Sequence, residues 1–281
     1  MLKRLKNGIR REENLKCGKK SKNQTDQVKR DVFSNIQSVE DGKKMKLLVL
    51  AGGFGTRLQF VVAGVPKALA PVGEVPFLYL QLENWIAQGL NSFIFLLHHQ
   101  ADQVIGFLKS EQSRLLKTCE VQWLVEPAPM DTGGAIAYAV EQLHLSGNFL
   151  ATNADTWLGT GVKDVSQTDA PAMAVVELRD TSRYGGVQFD DQKLVISFHE
   201  KSYSKGAGWI NAGLCHLNVE LFKNWDHHPF SLERISFPAL ATRGELRAVA
   251  LKTDFIDIGI PEDYFRFCRW IKSDRKGLLC S

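Results

Sequence analysis

Apolar residues after position 45 follow two rhythms that alternate along the chain. Short runs of consecutive apolar side chains are typical of strands buried on both faces, and longer segments place apolar residues at helical spacing. Strands are predicted at 46–50, 92–97, 121–125 and 149–152, and helices at 76–88, 101–109 and 133–143. This β-α-β-α-β-α-β order predicts a mostly parallel sheet that is covered by helices.

From residue 172 onward the predicted strands lie closer together. Strands are predicted at 172–178, 186–189, 193–198 and 209–217, and helices at 231–242 and 261–272. The short connections indicate a mixed sheet added to the same core rather than an independent domain. We therefore predict an α/β fold, with a single Rossmann-like domain over residues 45–275 in which a central mixed, mainly parallel sheet is flanked by helices.

The first 44 residues are polar and basic, unlike the rest of the chain. Residues 1–46 contain 14 Lys and Arg against 6 Asp and Glu, whereas the whole chain has a net charge of +4. A basic tail can contact nucleic acid or anionic lipid, but the sparse apolar residues favour a solvated segment. We interpret residues 1–44 as a disordered basic tail or an over-called N-terminal extension, and we expect neither nucleic-acid nor membrane binding.

Composition and cysteine usage exclude several classes of protein. A chain of 281 residues with 44% hydrophobic and 23% charged residues is neither fibrous nor wholly disordered. No apolar run approaches the roughly 18 residues that a membrane helix needs. The five cysteines are widely spaced and form no C-x-x-C motif, which argues against a disulfide framework or a zinc site and favours a cytoplasmic location.

A glycine-rich loop with the sequence GGFGTR follows the first predicted strand, at 52–57. Glycines let the backbone approach a phosphate chain with its N–H groups pointing inward. The loop lacks the third glycine of a dinucleotide fingerprint, because Leu58 occupies that position, and it lacks the Gly-Lys-Ser/Thr of a P-loop. Two cations, Arg57 and Lys67, accompany it, and fixed cations suit a triphosphate whose charge must be stabilised during transfer.

Taken in order, the motifs of the chain resemble those of the sugar-1-phosphate nucleotidyltransferases, also called nucleotide-sugar pyrophosphorylases. The motifs are LAGGFGTRL, PKALAPV, EPAPMDTGGAI, NADTW, RYGGVQFD, SFHEK, WINAGLC and FIDIGIPEDY, and they cover about residues 45–270. Within that family the chain is most similar to the D-glycero-α-D-manno-heptose-1-phosphate guanylyltransferases. The resemblance implies that an NTP and a sugar 1-phosphate form an NDP-sugar and pyrophosphate. GTP with D-glycero-α-D-manno-heptose 1-phosphate or mannose 1-phosphate is the favoured pair.

The resemblance also implies a role for each matching residue. Arg57 and Lys67 are the expected catalytic cations, and Asp155 and Asp257 are the expected ligands of a catalytic Mg²⁺. The residues expected to bind the nucleotide are Ala51, Gly52, Gly53, Gly55, Thr56, Glu126, Thr132 and Gly133. The residues expected to bind the sugar phosphate are Tyr184, Gly185, Glu200, Lys201, Asn211 and Gly213. In this assignment Glu200 bonds sugar hydroxyls and Lys201 contacts the phosphate.

Two other functions stay open on the sequence alone. One is a related uridylyl-, cytidylyl- or thymidylyltransferase that acts on another sugar 1-phosphate. The other is a non-catalytic protein that binds a nucleotide-sugar. This second alternative is disfavoured because the chain retains both the expected metal pair and the cations of the active site. The sequence leaves the oligomeric state open.

Overall fold

The structure is a computed structural model that describes residues 44–199 and 206–273. Its first half contains β1 (Leu47–Leu50), β2 (Pro71–Val72), β3 (Val75–Pro76), α1 (Phe77–Ala87), β4 (Ser92–Leu97), α2 (Ala101–Glu111), β5 (Glu120–Val125), α3 (Asp131–Gln142) and β6 (Asn148–Asn153). The second half contains β7 (Thr156–Leu158), α4 (Val162–Gln167), β8 (Ala172–Leu178), β9 (Gly186–Phe189), β10 (Val195–His199), β11 (Gly208–Asn218), α5 (Phe237–Thr242), β12 (Arg247–Leu251), β13 (Phe255–Asp257) and α6 (Pro261–Lys272). From Met45 onward the described residues form one compact unit.

One large sheet runs through the described residues in the order β5-β4-β1-β6-β11-β9-β10, and β8 joins β12 to β11. The strands β4, β1, β6 and β5 pair in parallel, as do β8 and β12. β11 is antiparallel to β6, β8 and β9, and β10 is antiparallel to β9. Among the described strands of this sheet, β10 and β11 therefore run against the other seven. The predicted mixed, mainly parallel sheet flanked by helices is confirmed.

Side chains of β1 show why helices cover both faces of the sheet. Successive residues of a strand point to opposite faces. Leu47 and Val49 accordingly pack with Leu78 of α1 and Val104 of α2, whereas Leu48 packs with Ile136 of α3. All of these side chains are buried. Both faces of the strand are therefore in the core, as the unbroken apolar run at 47–50 predicts.

A third apolar cluster attaches the last strand and helix to the body. The ring of Phe267 on α6 packs 4.9 Å from the ring of Phe77 on α1 and 5.3 Å from that of Trp157 on β7. β7 pairs with β13, so that Thr156 lies opposite Asp257. Residues that are 100 positions apart in the chain therefore meet at one place beside the main sheet. In the described residues no helix is both long and apolar enough to cross a membrane.

Most predicted elements are found within two or three residues of their expected bounds, but one prediction needs correction. The helix expected at 231–242 is divided into a π-helical turn over Leu232–Ser236 and the short α5. Pro238 lies in the first turn of α5, where proline is tolerated because that position needs no intrahelical N–H partner. The strands β2, β3, β7, β12 and β13 and the helix α4 were not predicted as separate elements.

Candidate active site

Two carboxylates and one lysine meet at the edge of the sheet. Asp155 follows β6 and Asp257 ends β13, and the pairing of β7 with β13 brings them together. The Lys67 ammonium group forms a short ion pair with Asp155 Oδ2 and lies 3.8 Å from Asp257 Oδ1. The structure therefore brings together one predicted catalytic cation and both predicted metal ligands.

The charges of this group are unbalanced. Burial raises the pKa of the Asp257 carboxyl above its usual range, and the nearby Asp155 carboxylate raises that pKa further. Lys67 and the backbone N–H of Gly259, which donates to Asp257 Oδ1 at 2.7 Å, act in the opposite direction. One lysine cannot neutralise two carboxylates, so this arrangement can accept an additional cation.

Space around the pair is tight. A Cβ atom at Gly259 would lie 2.8 Å from Asp257 Oδ1 and 2.9 Å from Lys67 Nζ. Both distances are below the contact distance of a real Cβ, so a side chain at position 259 would displace the ends of the Lys67 and Asp257 side chains. The sequence signal for Gly259 is its position two residues after Asp257, but sequence analysis did not assign it to the site.

The glycine-rich loop lines part of a cleft of about 800 Å³. Gly52, Gly53 and Arg57 line this cleft. Ala51, Gly55 and Thr56 line the adjoining recess, beside Lys67 and Asp155. Gly55 has φ +61°, a left-handed conformation in which glycine carries no steric cost. The predicted phosphate loop therefore lies beside the carboxylate pair.

Glu126 follows β5 and lies beside the glycine-rich loop, since a Cβ atom at Gly52 would come within 2.8 Å of its Oε1 atom. Its side chain is 7% exposed, and Oε2 accepts a hydrogen bond from the backbone N–H of Met130 at 3.1 Å. Burial raises the pKa of the Glu126 carboxyl, against the effects of Met130 and His98. Thr132 also lines the cleft. Both residues therefore line the cleft, and their assignment to the nucleotide stays a prediction.

Gly133 lies behind the wall of the cleft. Its N–H donates to the Phe230 carbonyl at 2.8 Å, and a Cβ atom here would lie 2.2 Å from the Phe230 ring. The residue therefore allows α3 to pack closely against the 229–236 segment. The described contacts show packing for Gly133, and its assignment as a nucleotide contact stays a prediction.

A second pocket of about 480 Å³ contains four of the predicted sugar-phosphate residues, namely Tyr184, Gly185, Asn211 and Gly213. Asn211 Oδ1 accepts a hydrogen bond from Gly213 N at 3.0 Å. Both residues are in β11, where its register to β8 shifts. The predicted residues Glu200 and Lys201 lie outside the described residues.

An arginine that sequence analysis did not single out holds one wall of this pocket. Arg183 lines the pocket and pairs with Asp263 of α6, a carboxylate that is 5% exposed and also pairs with Arg266. The Arg183 guanidinium lies 5.4 Å from the centre of the Tyr184 ring, which packs edge-on against Phe255. Burial raises the pKa of Tyr184 to about 12, so the phenol keeps its proton at neutral pH.

The cleft and the pocket share a floor. The residues that line both are Arg57, Asp131, Asn153, Thr156 and Asp257. A ligand in the cleft and a ligand in the pocket would therefore meet beside Asp257. Such an arrangement suits a reaction in which two bound molecules are joined.

Comparison with known proteins identifies the same class of fold and chemistry. The family model described as "Nucleotidyl transferase" matches residues 46–273. The chain is 31% identical over 229 residues to D-glycero-alpha-D-manno-heptose 1-phosphate guanylyltransferase of Campylobacter jejuni. That match covers 79% of this chain and 98% of the Campylobacter protein. It is 30% identical over 242 residues to mannose-1-phosphate guanylyltransferase catalytic subunit beta of Drosophila pseudoobscura. That match covers 84% of this chain and 65% of the Drosophila protein.

A solved structure resembles this one over most of its length. HddC from Yersinia pseudotuberculosis, crystallised in complex with GMP-PN, superposes with a TM-score of 0.68 at 32% sequence identity. The match covers 81% of this chain and 99% of HddC. These findings confirm the predicted enzyme class and the Rossmann-like fold.

Proposed function

Because the chain belongs to the nucleotidyl transferase family, we propose that it joins the GMP moiety of GTP to a sugar 1-phosphate and releases pyrophosphate. The favoured acceptors are D-glycero-α-D-manno-heptose 1-phosphate and mannose 1-phosphate, on which relatives of similar sequence are named to act. The observation that carries the proposal is the floor shared by the cleft and the pocket, at Asp257. A cytoplasmic location is part of the same proposal.

In this reaction an oxygen of the sugar phosphate attacks the α-phosphorus of the NTP in line, and pyrophosphate leaves. The attacking phosphate is already anionic, so no protein nucleophile is needed. The protein contributes by holding the two substrates in the right geometry and by stabilising charge. Arg57 lines both the cleft and the pocket, and it can therefore contact the phosphates of both substrates.

Asp155 and Asp257 would hold Mg²⁺. The fit rests on the two close carboxylates and on the raised pKa of Asp257. Among the described residues no group of three or more His, Cys, Asp or Glu could hold a metal. Mg²⁺ is usually held by one or two carboxylates together with substrate phosphates and water. When bound, the ion supplies charge neutralisation at the phosphates.

A matrix of substrates tests the proposal. The purified protein is incubated with Mg²⁺, each of GTP, UTP, CTP and dTTP, and each of several sugar 1-phosphates, and pyrophosphate release is measured. We expect release with GTP and a heptose or mannose 1-phosphate, and loss of release in Asp155→Asn.

Release with another base alone would assign the chain to a related transferase. Nucleotide binding without release in any combination would favour the non-catalytic alternative. Either result contradicts the proposal.

A further inference from the structure

The segment between β11 and α5 forms one wall of the sugar pocket. Ser231, Glu233 and Arg234 from this segment all line the pocket. Tyr184 and Gly185 line the same pocket. The motifs that predict the site do not include this segment, so its polar side chains have no assigned role.

Glu233 is held in place by two hydroxyl groups. Its Oε2 atom accepts hydrogen bonds from Thr132 Oγ1 at 2.6 Å and from Ser231 Oγ at 2.8 Å. The same hydroxyl of Thr132 accepts from the backbone N–H of Leu232 at 2.9 Å. Ser231 Oγ accepts from the backbone N–H of Arg234 at 3.2 Å. Two side chains and two backbone groups therefore fix the carboxylate before any substrate arrives.

These hydrogen bonds engage only one of the two carboxylate oxygens of Glu233, namely Oε2. In the part of the chain that the structure describes, no hydrogen bond reaches Glu233 Oε1. The side chain is half-buried, and it also lines a small recess with Asn211 and Gly213, two of the predicted sugar contacts. Glu233 therefore lies between the cleft residue Thr132 and the floor of the sugar pocket.

Among the described residues Glu233 forms no ion pair, although Arg57 and Arg183 line the same pocket. Arg234, the nearest cation of its own segment, pairs with Asp131 at 2.5 Å. An ionised carboxylate only accepts hydrogen bonds, so the group that fits Glu233 is a donor. In a pocket lined by polar side chains of this kind, a neutral hydroxyl of a sugar is a suitable donor. A carboxylate or phosphate substituent would instead be repelled.

We propose that Glu233 is a specificity-determining residue that accepts a hydrogen bond from one hydroxyl of the acceptor sugar. This inference rests on the proposed function. A site built to bind a substrate hydroxyl rejects the analogue that lacks it, because the polar group of the protein is then left without its partner. The sugar 1-phosphate used by this enzyme therefore carries a free hydroxyl at that position, and the corresponding deoxy sugar is a poor substrate.

The test compares deoxy analogues across variants. The sugar 1-phosphate accepted in the substrate matrix and its monodeoxy analogues, one for each hydroxyl, are assayed with the unmodified enzyme and with Glu233→Ala and Glu233→Gln. Glu245→Gln is the matched control, since Glu245 is exposed and pairs with Arg243 on the surface. For each protein, the ratio that we compare is the kcat/KM of the parent sugar divided by the kcat/KM of the analogue.

In the unmodified enzyme we expect at least one analogue to have a kcat/KM about 100-fold or more below that of the parent sugar. In Glu233→Ala the ratio for one such analogue falls to about 10 or less, while the ratios for the other analogues stay unchanged. Glu233→Gln keeps an acceptor oxygen without the charge. Because a neutral acceptor bonds more weakly, the same ratio falls by a smaller factor.

Two results would overturn the inference. One is an unchanged set of ratios in Glu233→Ala, which would mean that Glu233 only ties the segment to Thr132. If Glu233→Ala does not fold, an unchanged set of ratios in a folded Glu233→Gln has the same meaning. The other is an equal loss for all analogues. Failure of the unmodified enzyme with every sugar 1-phosphate is a different result, and it contradicts the proposed function itself.

Discussion

The cleft and the pocket, which we propose as the nucleotide half and the sugar half of the site, are built in different ways. The cleft lies at the carboxyl ends of the parallel strands β1, β5 and β6, where open α/β sheets place their ligands. Its phosphate loop is one contiguous segment directly after β1. The pocket is lined by residues from positions as distant as Arg57 and Asp257. Only the predicted phosphate loop is thus local in sequence, while the rest of the cleft and the whole pocket are assembled from separate segments.

This difference bears on what a substitution does. A change on the shared floor affects both substrates, because the floor belongs to both halves. A change in the sugar half can leave nucleotide binding intact. The predictions below test that separation, beginning with the largest expected effect.

Asp257→Asn removes a charge from the shared floor while keeping the shape of the side chain. We expect turnover to fall by at least about 100-fold, the scale of losing one electrostatic stabiliser of a transition state. The melting temperature without ligand should not fall, because burial already disfavours the ionised carboxyl. Turnover is measured against Mg²⁺ concentration, and Asp164→Asn on the exposed face of α4 is the control. Full turnover at limiting Mg²⁺ would show that Asp257 has a structural role only.

Asp263→Asn should weaken binding of the sugar phosphate without weakening binding of the NTP. Breaking a buried ion pair costs about 3–5 kcal/mol. Here the two arginine partners are 40% and 41% exposed, so we expect a loss of about 1–3 kcal/mol of unfolding free energy. The KM for the sugar phosphate should rise while the KM for the NTP stays the same, since Arg183 and Tyr184 lose their support. Glu262→Gln, its exposed neighbour on α6, is the control. An equal rise in both KM values would contradict the separation.

Glu126→Gln, in the nucleotide half, should change the free energy of unfolding of the protein by an amount that depends on pH. Because burial raises the pKa of Glu126 in the folded state, ionisation costs the folded protein stability. That cost is absent below the usual carboxyl pKa of 4.5 and appears as the pH rises through the folded-state value. The variant should therefore be more stable than the parent at pH 7 and equal to it in acid. Melting curves across pH check this, and a gain that persists below pH 4 would contradict it.

Removal of residues 1–44 should have the smallest effect. Every motif that carries chemistry comes after Met45, and the segment lacks apolar periodicity. A protein that begins at Met45 should keep its turnover and its unfolding free energy to within about 0.5 kcal/mol. Turnover and melting temperature measure this, and a large fall in either would show that the tail packs against the body.

Elements with strong local patterns could be predicted from the sequence. The β1 run, the glycine-rich loop and the helices α1 to α3 follow directly from apolar periodicity and turn chemistry. The pairing of Asp155 with Asp257 was expected from motifs, and the structure brings the two side chains to one lysine. These features could be predicted because each depends on a short segment of the chain or on residues that stand within a recognisable motif.

Residues that act through distant partners could not be predicted. Glu233 meets Thr132 from 101 positions away, and Arg183 meets Asp263 from 80 positions away. Each of these side chains alone is typical of a solvated surface, and only the fold reveals that its partner is near. The clearest local signal was the SLER sequence at 231–234, where a hydroxyl and a carboxylate two residues apart can bond each other.

The long strand β11 also affects how the molecule acquires its shape. It pairs with β8 along one side and with β6 and β9 along the other, so it joins the first parallel strands to the later part of the sheet. During synthesis the parallel strands up to β6 leave the ribosome well before residues 208–218, and the β6 edge stays uncovered in that interval. Pairings between distant segments form slowly, and uncovered strand edges promote aggregation. Recovery of active protein after dilution from denaturant should therefore depend strongly on protein concentration.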